Sequence, residues 1–101
     1  MKLLDNHDSG KTIEIDSGST FAVWLKEGPS PEHRWEVESA EGLEKIGDRF
    51  SAAAETGQAG IRIFGFRVSS VGLHKLRLQI RRAREGHVLA DTQFDAKILG
   101  K

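Results

Sequence analysis

The sequence contains no cysteine, only two prolines and no long apolar run. Without cysteine there is no disulfide framework, no thiolate nucleophile, and no zinc ribbon or iron–sulfur site. A membrane-spanning helix needs about 20 consecutive apolar residues, and no run approaches that length. Residues 1–6 turn polar too early for a signal peptide. We therefore expect either a cytoplasmic protein or a trimmed periplasmic or secreted one.

The 101 residues carry 15 basic and 15 acidic side chains, but these charges are unevenly distributed. Residues 1–50 hold 6 basic and 11 acidic side chains, whereas residues 51–101 hold 9 and 4. The split indicates neighbouring strands of opposite sign rather than a nucleic-acid surface. A chain of this length buries roughly 65% of its unfolded surface, enough for a core without disulfides or metals. We expect one domain over residues 1–101, in which residues 1–10 could be frayed.

Apolar and polar side chains alternate with a period of two along most of the chain. This period is typical of strands that bury one face. Six segments show it, centred on the apolar residues Ile13, Val23, Trp35, Phe66, Leu78 and Ala96. Residues 42–50 add a weaker seventh. Seven short strands with one apolar face each predict an all-β fold, an immunoglobulin-like antiparallel β-sandwich, with a small barrel as the main alternative.

The connections between these strands fall into two kinds. Residues 16–19 form a short turn, and residues 69–72 predict a tight hairpin between the fifth and sixth strands. Residues 27–33, 51–60 and 82–90 are longer. If successive strands run up and down, these three long connections share one end of the sandwich, as the binding loops of antibody-type domains do. The alternative is that long connections are merely tolerated there.

Three motifs lie in or beside these long connections. They read Gly28-Pro29-Ser30-Pro31-Glu32-His33-Arg34-Trp35, Gly57-Gln58-Ala59-Gly60 and Arg82-Ala83-Arg84. Their order and spacing resemble the chagasin family, small proteinaceous inhibitors of papain-like cysteine proteases with an immunoglobulin-like fold. That family carries Asn-Pro-Thr-Thr-Gly followed by an aromatic residue and a Trp, then Gly-x-Gly-Gly, then Arg-Pro-Trp. The middle of the present chain is shorter than the family's.

The motifs match the family in part. Pro29 and Trp35 match the first motif, and Ser30 keeps a hydroxyl. One glycine of the second motif is replaced by Ala59, and the third motif keeps Arg82. The departures are Gly28, Pro31, Glu32, His33, Ala59, Ala83 and Arg84. Arg84 stands where the family has a Trp, and its planar guanidinium could still lie on a protease surface.

The resemblance implies that the protein binds a papain-like cysteine protease reversibly. The first connection would enter and block the active-site cleft, and the other two would contact the walls of that cleft. Two prolines suit a plug, because a fixed φ lowers the entropy lost on binding. The implied protease-binding residues are Gly28, Pro29, Ser30, Pro31, Glu32, His33, Gly57, Gln58, Ala59, Gly60, Arg82, Ala83 and Arg84. The departures leave an alternative, a non-inhibitory protein-interaction module on the same fold.

Other constellations in the sequence do not favour a different chemistry. The four His residues show no metal-ligand spacing, and no Gly-x-Ser-x-Gly motif marks a nucleophile. A basic cluster around Arg77 lacks the interleaved aromatics that nucleic-acid binding uses, so we expect pairing with acidic neighbours such as Asp95. We expect a monomer with no enzymatic activity, cofactor or metal, and with no nucleic-acid or membrane partner.

The two tryptophans differ in phase. Trp35 lies on the inward phase of its strand, so we expect it in the core. Trp24 is out of phase with Val23, which predicts a position on the outer face of the sheet. An outward Trp could cover a sheet edge, pack under a loop or mark a second contact surface.

Overall fold

The computed structural model of the protein describes residues 1–28, 34–52, 59–80 and 93–101. Those residues form two four-stranded sheets, here named sheet A and sheet B. The strands are β1 (Lys2–Leu4), β2 (Thr12–Ile15), β3 (Thr20–Glu27), β4 (Trp35–Ser39), β5 (Leu43–Ser51), β6 (Gly60–Val68), β7 (Gly72–Ile80) and β8 (Gln93–Gly100). Their order is β1-β3-β6-β5 in sheet A and β2-β8-β7-β4 in sheet B. The predicted all-β sandwich is confirmed.

Each sheet contains one parallel pair beside its antiparallel pairs. In sheet A the short strand β1 runs parallel to β3, and in sheet B the strand β2 runs parallel to β8. Alternation did not predict β1, because three residues are too few to establish a period. Within β1, Leu4 is buried. A single 3-10 turn, Asn6–Asp8, capped by the side chain of Asp5, then carries the chain across to sheet B.

The predicted hairpin at residues 69–72 is wrong. These residues leave β6 in sheet A and enter β7 in sheet B, so the two strands are not paired. A period of two shows which side chains face inward, but it does not show which sheet a strand joins. The antiparallel neighbours in sequence are β5 with β6 and β7 with β8. Residues 52–59 and 81–92 connect these pairs.

The core lies between the sheets and contains the inward side chains of both. Phe21 and Phe66 stack with ring centroids 5.4 Å apart. Trp35 belongs to this core, as its phase predicted, and Trp24 is 42% exposed on the outer face of sheet A. In the part of the chain that the structure describes, no helix has the length and apolar character to span a membrane.

Candidate functional site

The long connections all emerge from one end of the sandwich. In sheet A, the last residue of β3 pairs with the first residue of β6, Glu27 with Gly60. The last residue of β5, Ser51, pairs with Ile61 next to it. In sheet B, the first residue of β4 and the last of β7 are also partners. We name residues 28–34, 52–59 and 81–92 the first, second and third loops. The strand residues that flank these loops therefore lie next to one another at one end of the sandwich.

The structure places three of the predicted protease-binding residues. Gly28 is half-buried and directly follows β3, Ala59 is exposed, and Gly60 is buried as the first residue of β6. The other ten lie outside the described residues: Pro29, Ser30, Pro31, Glu32, His33, Gly57, Gln58, Arg82, Ala83 and Arg84. What the structure describes is thus the base from which the loops emerge.

Gly60 is required at this base by close packing. A Cβ atom at this position would lie 2.5 Å from the Ser51 carbonyl oxygen and 2.5 Å from Cζ of the Phe50 ring. Real Cβ atoms do not approach backbone oxygens so closely, so any other residue would push β5 and β6 apart. The last glycine of the second motif therefore sets the spacing of the two strands that carry the second loop.

Directly beneath the loops lies a buried ion pair that the sequence prediction missed. Glu27 is 5% exposed and Arg62 is 8% exposed. Arg62 donates from Nη2 to Oε2 of Glu27 at 2.8 Å and from Nε to Oε1 at 3.0 Å, a two-bond fork. Its Nη1 also donates to Oδ1 of Asp48 at 3.1 Å. The hydrogen bond to Glu27 raises the pKa of the Arg62 guanidinium, and Asp48 adds to this shift while desolvation opposes it.

Trp35 connects this ion pair to the other sheet. Its backbone N–H donates to Oε1 of Glu27 at 2.8 Å, and its indole Nε1 donates to the carbonyl oxygen of Lys26, also at 2.8 Å. The last two residues of β3 thereby bind the first residue of β4 across the first loop. We name Glu27, Trp35, Asp48 and Arg62 the stem cluster.

Phe50 completes the base on the side of the second loop. Its ring lies 5.3 Å from the Arg62 guanidinium carbon, within the range of a cation–π contact. Phe50 is 40% exposed, although it lies on the inner side of the β5–β6 pair. Phe50 is therefore partly open to solvent, while its ring covers one side of the Arg62 guanidinium.

The sequence held a signal for the stem cluster. Glu27 belongs to the same series of inward-facing residues as Val23 and Leu25. Arg62 belongs to the inward-facing series of β6 that also includes Phe64. A charged residue on an apolar phase needs a partner of opposite sign if it is buried. Alternation alone therefore marked both residues as unusual, but only the register of β3 and β6 shows that they meet.

Features elsewhere in the described residues do not form a competing catalytic or metal site. His74 Nε2 lies 2.8 Å from the carbonyl oxygen of Ser70, so this ring nitrogen is engaged by the backbone. No group of three metal-ligating side chains occurs in the described part of the chain. Arg77 pairs with Asp95 at 2.6 Å, as expected for the basic cluster; Arg81, Arg82 and Arg84 lie outside the described residues.

Comparisons with known proteins agree with this geometry. Residues 14–98 match the family model described as chagasin family peptidase inhibitor I42. Similar solved structures include the cysteine protease inhibitor EhICP2 from Entamoeba histolytica, with 17% identity, a TM-score of 0.83, and coverage of 99% of this chain and 94% of that one. The solution structure of amebosin has 22% identity, a TM-score of 0.80, and coverage of 99% and 97%.

A third structure, PbICP-C in complex with falcipain-2, has 9% identity, a TM-score of 0.59, and coverage of 100% of this chain and 98% of that one. No curated protein matches the sequence. At such low sequence identities, the similarity to these three structures supports the fold alone. The family model, in contrast, matches most of the chain. Family members are peptidase inhibitors, which agrees with the expectation that the protein is not an enzyme. The chain belongs to the chagasin family of peptidase inhibitors.

Proposed function

We propose that the protein inhibits papain-like cysteine proteases reversibly, with the first loop entering the active-site cleft and the second and third loops contacting its walls. The observation that carries this proposal is that the strand ends flanking all three loops lie together at one end of the sandwich. Membership of an inhibitor family supports it, as does the neighbouring structure whose description names a complex with falcipain-2.

The first loop has the chemistry of a plug that resists becoming a substrate. Pro29 and Pro31 restrict φ at two of its positions, so less entropy is lost on binding. The residues that flank this loop are bonded to each other, since Glu27 accepts from the Trp35 backbone N–H. A protease that cannot align a peptide bond with its nucleophile binds the loop without cutting it.

The test is a loop replacement with a matched control. Replacing Pro29-Ser30-Pro31 by Gly-Ser-Gly should raise the inhibition constant for a papain-like protease by about 4- to 30-fold, since each Pro contributes roughly 0.4–1 kcal/mol of conformational restriction. The control replaces Ser69-Ser70-Val71, the inter-sheet turn at the opposite end, by the same tripeptide. We expect the control to inhibit like the parent protein. Equal inhibition by all three proteins would contradict the proposal.

The motif departures favour a second candidate, a non-inhibitory interaction module with the same loops. Arg84 replaces an apolar aromatic with a charge, and Glu32 adds a carboxylate to the first loop. Both changes alter the surface that a partner would contact. Failure to inhibit any papain-like protease at micromolar concentration, by protein shown to be folded, would support this candidate.

A further inference from the structure

The stem cluster joins the two ends of the first loop through one carboxylate. We propose that Arg62 is a positioning residue for this loop: its fork on Glu27 fixes the separation of Gly28 and Trp35 and so presets the conformation that enters the protease. The inference deepens the proposed function and rests on it.

The geometry of the carboxylate carries the argument. Oε1 of Glu27 accepts from the Trp35 backbone N–H at 2.8 Å and from Arg62 Nε at 3.0 Å. A carboxylate held by Oε1 alone could rotate about its side-chain bonds. The second bond, from Arg62 Nη2 to Oε2 at 2.8 Å, prevents that rotation. Two parallel bonds from a guanidinium specify orientation as well as distance.

Arg62 also reaches the stem of the second loop. It lies two residues after Gly60, bonds Asp48 on β5 at 3.1 Å, and is covered by the Phe50 ring. One side chain therefore contacts the stems of both loops on sheet A. Trp35, the first residue of β4, pairs in register with Ile80, where the third loop begins. The stem cluster thus relates all three loops to one another.

Stability alone does not account for a buried ion pair at this place. Buried ion pairs contribute little net stability compared with apolar residues of similar volume. Orientation at a binding end is a different benefit, because a preorganised loop loses less freedom on binding. In enzymes, a misplacement of about 1 Å at the reacting groups can slow the reaction about 100-fold, which shows how steeply the effect of a site depends on the position of its groups.

The first experiment compares Arg62→Met with Arg77→Met. Arg77 is a matched control, since it is also an arginine held by two carboxylates, Asp95 at 2.6 Å and Glu38 at 4.0 Å, but on the exposed face of sheet B. Two quantities are measured at a temperature where both variants are folded. They are the inhibition constant for a papain-like protease and the hydrogen-exchange rate of the Trp35 indole N–H.

We expect Arg62→Met to raise the inhibition constant about 10- to 100-fold and to speed Trp35 indole exchange at least about tenfold. Arg77→Met should change neither. The protein has only two tryptophans, so the exposed Trp24 indole is an internal reference whose exchange should not change. Unchanged exchange at Trp35 in Arg62→Met would overturn the inference, whatever the inhibition.

A second variant separates positioning from stability and serves where Arg62→Met does not fold. The double substitution Glu27→Gln with Arg62→Met removes both buried charges and leaves an amide oxygen to accept from Trp35. We expect its melting temperature to return toward the parent's while its inhibition constant stays raised. Full recovery of inhibition would overturn the inference. Absence of inhibition by the parent protein would instead overturn the proposed function, and Trp35 exchange would still decide whether Arg62 positions the loop ends.

Discussion

At the scale of single residues, the most informative positions are two charged residues that occur where the alternation places apolar, inward-facing side chains. Glu27 and Arg62 occupy inward positions that alternation assigns to the core, and both are buried there. A buried charge without a partner is strongly unfavourable, so the burial of each residue depends on its pairing with the other. The anomaly could be identified from the sequence, but the partnership depends on a register between residues 35 positions apart.

Removing Arg62 should therefore cost more stability than removing a similar exposed arginine. We expect Arg62→Met to lower the free energy of unfolding by about 3 kcal/mol, because the Glu27 carboxylate is left buried and uncompensated. Arg77→Met should leave the free energy of unfolding almost unchanged, since its ion pairs are exposed. Urea denaturation of both variants measures the difference. Similar losses for the two would show that the stem cluster is not energetically special.

The raised pKa of Arg62 determines how this contribution depends on pH. A cation whose pKa is raised by folding stabilises the protein fully below its unfolded pKa and loses that contribution only above the folded one. Both values lie above the physiological range. We therefore expect no loss of stability from titration of Arg62 between about pH 5 and pH 9. The difference in urea midpoint between parent and Arg62→Met at pH 7 and at pH 9 checks this; a difference that shrinks toward pH 9 would contradict it.

A substitution at Gly60 tests the close packing under the second loop. Gly60→Ala should lower the free energy of unfolding by about 1–3 kcal/mol, because the new methyl group overlaps the Ser51 carbonyl oxygen. Gly47→Ala on β5 is the control, since a Cβ there would meet its nearest atom at an ordinary 3.8 Å. Thermal melting of the two variants gives the comparison. A larger loss at Gly47 than at Gly60 would refute this account of the base.

At the scale of elements, the irregular edge strand β5 shows where alternation fails and why. The register of β5 against β6 shifts between Lys45 and Gly47, so Ile46 is an extra residue. Such a bulge reverses which side chains face inward beyond it. Asp48 and Phe50 consequently face Arg62 instead of the outer surface. This reversal explains why residues 42–50 gave only a weak strand pattern.

Deleting Ile46 should remove the bulge and leave the pairing on both sides of it unchanged. We expect Lys45 to stay opposite Phe66 and Phe50 to stay opposite Arg62, so the deletion variant should keep the stem cluster and an inhibition constant close to the parent's. Ile46→Ala keeps the chain length and therefore the register, so it should behave nearly like the parent. Comparison of melting temperatures and inhibition constants for the two variants tests the point. A loss of inhibition by the deletion variant alone would contradict this reading of the register, because it would mean that removing the bulge displaces Asp48 and Phe50.

The regular elements were predictable because each buries one face over several residues. The inward positions of β3, β6, β7 and β8 alternate as the structure shows, including those of Phe64 and Leu78. The assignment of strands to sheets was not predictable, because pairing between strands distant in sequence leaves no local pattern. That is why the turn at residues 69–72 was mistaken for a hairpin.

At the scale of the whole molecule, the uneven charge distribution is explained by how the strands interleave. Strands from the acidic first half lie beside strands from the basic second half in both sheets. The resulting ion pairs between the halves, among the described residues, are Glu14–Lys101, Glu27–Arg62, Glu38–Arg77, Glu44–Arg67 and Asp48–Arg62. The interpretation of neighbouring strands of opposite sign is confirmed.

The up-and-down order of the strands was also a whole-molecule signal. It predicted that the three long connections would share one end, and the strand registers bring the residues that flank them together there. The contacts that fix those flanking residues could not be predicted, since they combine residues from β3, β4, β5 and β6. The contribution of each loop residue to protease binding stays a prediction.

The central claim is that this end of the sandwich blocks a papain-like cysteine protease without being cut. The most direct measurement is the steady-state inhibition of a small panel of such enzymes, with a serine protease as control and mass spectrometry of the inhibitor after incubation. The account predicts competitive, reversible inhibition of cysteine enzymes only, with the chain recovered intact. Absence of inhibition at micromolar folded protein, or cleavage within residues 28–34, would contradict it.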